Sequence, residues 1–282
     1  MYYSEQEAKK LIISACQRLV SEKLIARTWG NVSARISENR FIITPSGRSY
    51  DTLSKDELVT VDARDLSYDE SKGIKPSSEK GIHASAYLLH QNISFVIHTH
   101  QHYASVICAE ENDVTDEDGT HIVCASYGLP GTKKLRTAVE KSMKENIESK
   151  VFLLAKHGAL LLGEDYEETF SLAKKLENSC KTIFDKRSEK FTEENNLYEK
   201  YLKSSWLDDH AQIIGNNSIE KIISGGEDEE AVRLIASKNS DAAKYISEGK
   251  LLGISNAKPI GFFDSALQRA VYKLKYSKRK DA

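Results

Sequence analysis

The chain has 282 residues, 29% of them charged and 40% from the AVILMFWYC set, with 15 Gly and 4 Pro. That suits one large domain or a domain with an appendage, and it excludes collagen-like, fibrous and intrinsically disordered chains. Forty Lys and Arg against 42 Asp and Glu leave a formal net charge of −2. No global field then draws the chain to nucleic acid or to an anionic membrane, and an anionic ligand has to be held locally.

The apolar positions Ala8, Leu11, Ile12, Ala15, Cys16, Leu19 and Val20 recur at helical spacing, which predicts an amphipathic helix over 5–22. Residues 31–36 alternate, 37–40 turn, and Phe41-Ile42-Ile43 is a buried-type run, so a hairpin follows. A short strand is expected at 58–62. A polar loop over 63–76 leads to a helix from about Ser77 with Ile82, Ala86 and Leu89 inward. Strands are expected at 95–100 and 122–124, a short helix over 103–109 and a helical stripe through Leu135, Ala138, Val139, Met143 and Ile147. Two apolar strands, 151–155 and 159–162, flank Lys156-His157-Gly158, and a long helix over 166–187 closes the domain. The pattern is that of an α/β core with a mixed or antiparallel sheet.

A domain over 1–189 and an extension over 190–282 follow from the weaker pattern beyond Glu189, where helix-like stretches lie around 229–237, 242–246 and 262–274. The extension is expected to be mainly helical. It should contribute to assembly or cover the site, because Leu234-Ile235, Leu251-Leu252 and residues 260–263 need something to bury against. Cys16, Cys108, Cys124 and Cys180 form no CxxC pair, and three of them lie in apolar runs. They read as reduced, buried thiols of a cytoplasmic protein. Residues 1–17 lack a basic region followed by a long apolar stretch, and no run approaches about 18 uncharged apolar residues, so neither secretion nor membrane spanning is expected.

Chemistry concentrates at His98-Thr99-His100. Residues two apart on a strand share a face, so two imidazoles can share one metal ion. His157 stands between two strongly apolar strands, where a neutral imidazole needs partners, and Gly158 permits a tight turn. Three strand-end histidines match a catalytic zinc site with an open fourth position. Pro76-Ser77-Ser78-Glu79 stands at a loop-to-helix junction: as structure it is a helix start, and as function it is an anion site with Glu79 turned inward as a general base. Gly30-Asn31 and Thr44-Pro45-Ser46-Gly47 are turn residues that serve as a phosphate cradle if the three loops converge. His83, His90 and His210 read as packing or surface groups. His102 falls where the chain is expected to change direction.

Taken together, residues 30–35, 43–47, 76–79, 98–100 and 156–158 resemble, in order and spacing, the class II aldolase/adducin family, nearest its fuculose-phosphate aldolase type. The resemblance covers about residues 5–187. It implies an α/β/α domain with a central, mainly antiparallel sheet, and a homotetramer with active sites at subunit interfaces. Zinc, or another divalent metal, would be held by His98, His100 and His157 with Glu79 as fourth ligand. Asn31, Ser46, Gly47, Ser77 and Ser78 would bind the phosphate of a small sugar substrate.

The implied reaction is reversible cleavage of a ketose 1-phosphate into dihydroxyacetone phosphate and an aldehyde, through a metal-stabilised enediolate with Glu79 carrying the proton. The family also holds phosphosugar epimerases, a dehydratase and non-catalytic adducin-like interaction modules. One departure bears on the aldehyde. Where fuculose-type aldolases carry a proton-donating tyrosine this chain has Ile122, and His121, Tyr127, or Tyr245 or Tyr272 from the extension, are the candidates to replace it.

Overall fold

Ser4 caps the first helix, α1 (Glu5–Ser21), by accepting the Glu7 backbone N–H at 3.2 Å, and Ala8, Ile12, Ala15, Cys16 and Leu19 form its buried stripe. The computed structural model describes residues 2–25 and 30–188, the short stretches 219–221, 233–237, 243–247 and 250–254, and residues 263 and 267. After α1 come β1 (Asn31–Ser37), β2 (Arg40–Ile43), β3 (Val59–Asp62), α2 (Lys80–Leu89), β4 (Phe95–Thr99) and α3 (His102–Ile107). The domain continues with β5 (Val114–Thr115), β6 (His121–Ala125), α4 (Lys133–Glu145), β7 (Val151–Leu154), β8 (Gly158–Gly163) and α5 (Tyr166–Ser188).

The eight strands form one sheet in the order β3-β2-β1-β4-β8-β7-β6-β5. Every described pairing in it is antiparallel except that of β6 with β7. The central strands read as unbroken apolar runs because both faces are covered. Phe95, Ile97, Ala159 and Leu161 pack with α1, α3 and α5, whereas Val96, Leu160 and Leu162 pack with α2 and α4. The expected three-layer α/β/α arrangement with a mainly antiparallel sheet is therefore observed.

Four differences from the sequence reading have physical causes. The helix expected from Ser77 starts at Lys80, because the Ser77 N–H donates to Thr44 O at 3.0 Å and the Ser46 N–H to Lys75 O at 2.9 Å. These bonds keep residues 75–77 extended against the end of β2. Strand β5, two residues long, is too short to show alternation. Ile147 falls beyond the end of α4 and is 46% exposed, so it is not part of the buried stripe. In the extension, the stretches read as helix around 229–237 and 242–246 contain strands, β10 (Arg233–Ser237) and β11 (Ala243–Ser247). With β9 (Ile219–Lys221) and β12 (Lys250–Ile254) they form an antiparallel sheet in the order β12-β11-β10-β9. Apolar runs of about five residues do not separate a period of 2 from one of 3.6. Of 262–274 only residues 263 and 267 are described, both helical. Tyr272 and His210 lie outside the described residues.

Arg35 anchors the far end of β1 on the face that packs against α2. It is 1% exposed, and its guanidinium donates to the carbonyls of Ser37 (3.2 Å), Glu38 (2.7 Å), His90 (3.2 Å) and Gln91 (3.3 Å) between the rings of Tyr2 and Tyr87. It thus ties the β1–β2 turn to the end of α2. Arg35→Met keeps the stem but strands buried carbonyls, and the expected cost is about 3 kcal/mol of folding stability. Denaturant unfolding measures it, and a loss below about 1 kcal/mol would show that the guanidinium is dispensable.

Candidate metal centre

The site forms where β1 begins, β4 ends and the β7–β8 turn arrives. In the β1–β4 register Asn31 stands opposite His98, so both side chains leave the same face. This closeness depends on Gly30, at φ +107°, where a Cβ would lie 2.6 Å from His98 O. Gly158 is as tightly placed, since a Cβ there would meet Thr99 O at 2.2 Å. His157, held by its N–H to Leu154 O at 2.9 Å, is thereby brought over the end of β4.

The three imidazoles cluster with centroids 4.7, 4.8 and 5.0 Å apart, and their ligand-capable nitrogens all lie within 4.8 Å of one another. His98 is fully buried, His157 is buried and His100 is half-buried. His98 Nδ1 donates to Ala159 O at 2.9 Å, so in the neutral ring the Nε2 lone pair faces inward. That Nε2 lies 3.1 Å from His100 Nε2 and 3.2 Å from Glu79 Oε2, while His157 Nε2 lies 3.1 Å from Glu79 Oε1.

Glu79, at the N-cap of α2, is 8% exposed, and Asn31 Nδ2 donates to its Oε2 at 3.1 Å. Oε1 has no hydrogen-bond partner despite its closeness to His157, because that contact lacks the alignment of a hydrogen bond, and His157 Nδ1 also has none. Burial pushes the Glu79 carboxyl up, but the pull of His157 and then His98 overrides it and holds the group well below the usual carboxylate range. Burial, His98 and His157 hold His100 well below the usual imidazole value. An ionised carboxylate and neutral imidazoles are the protonation states that metal coordination requires. An unsatisfied buried carboxylate oxygen among inward lone pairs is costly by itself, and a divalent cation satisfies it. The residues fit such an ion, and a set of three histidines and one carboxylate suits zinc.

Among the expected phosphate residues, Ser46, Gly47 and Ser78 are exposed on two loops joined by the Pro45–Pro76 bridge, and Gly131 packs against Ser78. Ser77 is buried, with its Oγ accepting the Glu79 N–H at 3.2 Å. Asn31 spends one amide hydrogen on Glu79, so it is a neighbour of the carboxylate as much as of the two loops.

The β6 position of the family tyrosine is filled by Ile122, buried in the core beneath α5, and His121 points to Asp113 at 3.1 Å. Tyr127 lies between the ammonium groups of Lys134 and Lys156, each 5.7 Å from its ring, and Lys156 precedes His157. His83, read as a packing group, is fully buried and hydrogen-bonds Asn31. Its spacing of four residues from Glu79, one helical turn, was the available signal.

Residues 10–184 match the family described as Class II Aldolase and Adducin N-terminal domain, and the chain belongs to that family. It is 32% identical over 178 residues to the L-fuculose phosphate aldolase of Haemophilus influenzae, covering 61% of this chain and 79% of that one. It is 34% identical over 169 residues to a 5-methylthioribulose-1-phosphate/5-deoxyribulose-1-phosphate aldolase of Escherichia coli, covering 57% and 76%. Its fold is similar to that of a solved L-fuculose 1-phosphate aldolase, with a TM-score of 0.60 at 24% identity over 69% of this chain and 96% of the other.

A ligand that binds only the folded state stabilises it by about 2.7 kcal/mol at a hundred times its dissociation constant. Excess Zn²⁺ should therefore raise the thermal midpoint of the full chain by several degrees, chelator should reverse the rise, and His98→Ala should abolish it. An unchanged midpoint together with metal analysis far below one ion per chain would remove the metal assignment.

Proposed function

We propose that this family member is a zinc-dependent aldolase that reversibly cleaves a ketose 1-phosphate, of the fuculose 1-phosphate kind, into dihydroxyacetone phosphate and an aldehyde. The observation that carries the reading is a buried, ionised Glu79 with one oxygen held and the other open, set among three clustered histidines.

A divalent ion held by His98, His100, His157 and Glu79 would act as a Lewis acid toward the substrate oxygens and offset negative charge developing there. The protein's own task is the proton. Cleaving a carbon–carbon bond beside a carbonyl leaves an electron pair on carbon, and a proton must be delivered to it. Glu79 Oε1 is free of hydrogen bonds, so it can take and return that proton while Asn31 keeps the carboxylate from swinging away. Ser46, Gly47, Ser77 and Ser78 cradle the phosphate beside the positive end of α2. The hydroxyl proton at the aldehyde end is assigned to Tyr127, whose ring lies 5.7 Å from the ammonium group of Lys156, the residue before His157.

The core position of Ile122 favours, as a second reading, a phosphosugar epimerase or dehydratase of the same family. An adducin-like interaction module has no use for a buried ligand set. We extend the proposal to a cytoplasmic homotetramer with its sites at subunit contacts, which light scattering tests. Among the described residues no helix is long and apolar enough to cross a membrane, and Cys16, Cys108, Cys124 and Cys180 form no disulfide.

Solvent-deuterium exchange into dihydroxyacetone phosphate reads the proton step before any aldehyde is known. Glu79→Gln should lower it by about 10²–10⁴-fold with zinc still bound and the chain folded. Near-normal exchange in that variant would assign the base elsewhere, and wild-type zinc protein without exchange would move the reading to the epimerase or dehydratase. Ser46→Ala combined with Ser78→Ala spares the Ser77 bond to Glu79. It should raise KM for phosphorylated substrate more than it lowers kcat, since phosphate is held alike in ground and transition states. A fall in kcat alone would unseat the phosphate assignment.

A further inference from the structure

Behind the carboxylate runs a line of buried hydrogen bonds that metal ligation alone does not require. Asn31 Nδ2 donates to Glu79 Oε2 at 3.1 Å, and Asn31 Oδ1 lies 2.5 Å from His83 Nε2. The other ring nitrogen, His83 Nδ1, is 2.7 Å from Ser33 Oγ, itself 2.7 Å from the Tyr87 hydroxyl. All of these side chains are buried, and those of His83 and Ser33 are fully so.

Counting donors fixes the direction. An amide oxygen only accepts, so His83 Nε2 carries the ring hydrogen. Nδ1 of a neutral ring then accepts from the Ser33 hydroxyl, and Ser33 Oγ accepts from the Tyr87 hydroxyl. Burial, with His98 adding to it and Glu79 opposing, holds the His83 ring down at about 3, so the ring is neutral at physiological pH. Each group from Tyr87 to Glu79 has one role, and the roles close only in this order.

We infer that His83 is the positioning residue of the site: its Nε2–H fixes the orientation of the Asn31 amide, so that an N–H and not a carbonyl oxygen faces Glu79. The two ends of an asparagine amide are nearly equal in shape, and only hydrogen bonds choose between them. Reversed, Oδ1 would face Oε2, two acceptors would repel, and the carboxylate would leave the ligand and proton-carrying position. The fold makes the relay stiff. Asn31 and Ser33 alternate on β1 and so share a face, while Glu79 and His83 are one turn apart on α2. The inference rests on the reading of Glu79 as ligand and proton carrier.

The test is a two-residue cycle on the zinc-loaded full chain, read by chelator competition for Zn²⁺ and by deuterium exchange into dihydroxyacetone phosphate. Outer partners of metal ligands are worth about 10–100-fold in affinity or activity. Asn31→Ala should fall in that range, and His83→Leu should lose about tenfold in both readouts with KM nearly unchanged. The double variant should be no worse than Asn31→Ala alone, because His83 acts only through Asn31. His83→Gln, whose amide nitrogen reaches the place of Nε2, should recover most of the loss, which general loosening of the core would not explain. Nitrogen-15 NMR of the wild-type ring should show the neutral Nε2–H tautomer. Losses that multiply in the double variant, a His83→Leu protein with full affinity and exchange, or an Nδ1–H tautomer would each overturn the inference. If His83→Leu fails to fold, His83→Gln and the tautomer decide. If the wild type binds zinc but exchanges no deuterium, the aldolase reading falls while the affinity cycle still settles the part played by His83.

Discussion

A carboxylate is buried at the end of a sheet, and most of what surrounds it follows from that burial. Removing the Glu79 charge from water is expensive, and a carboxyl in an apolar pocket would normally take up a proton instead. Here it stays ionised because imidazoles approach from two sides and an amide N–H from a third. Each approach has a structural cost. The start of β1 reaches β4 only because residue 30 has no side chain, and the β7–β8 turn reaches Thr99 only because residue 158 has none. The loop before α2 must remain extended for three residues so that Glu79, and not Ser77, meets the helix start.

Compensation by histidine alone would be a poor arrangement for catalysis, since a charged imidazole binds no metal. Burial and the neighbouring histidines hold His100 down, and burial holds His83 down. The protein has thus separated two jobs by position. His98, His100 and His157 cluster at strand ends around Glu79, whereas His83 lies on α2 and hydrogen-bonds the Ser33 hydroxyl and the Asn31 amide.

How much of this was readable from the chain depends on the range of each feature. The buried strands, the His98-Thr99-His100 spacing and the Lys156-His157-Gly158 turn are local patterns, and each is found where its period or composition puts it. The start of α2 is not a local feature, because it is set by two backbone hydrogen bonds to the loop after β2. His83 was passed over because a histidine on an apolar helix face reads as packing until Asn31 and Ser33 are known to face it from another strand. The strands of the extension were hidden by short apolar runs that satisfy two periods equally.

The sequence departs from the fuculose-type pattern at Ile122. His98, His100 and His157 cluster around Glu79, and the loops of Ser46 and Ser78 are joined by the Pro45–Pro76 bridge, but β6 brings a core isoleucine and a histidine paired with Asp113. Tyr127, the residue proposed for the proton at the aldehyde end, lies on the loop after β6, against the turn after β7. There the backbone is under strain: Lys156, immediately before a metal-site histidine, sits at φ +54°, and its ion-pair partner Glu111 sits at φ +57°. Left-handed conformations of such residues cost about 1–3 kcal/mol each and persist only where the surroundings fix them. Here the Lys156 N–H bonds Cys108 O at 3.0 Å, its side chain is 6% exposed with the ammonium 3.0 Å from Glu111, and Tyr127 lies against it. One strained turn therefore sets both the direction of His157 and the charge beside Tyr127. On the proposed reading, metal geometry and the aldehyde-end environment would be linked, so a substitution at Lys156 would also disturb His157.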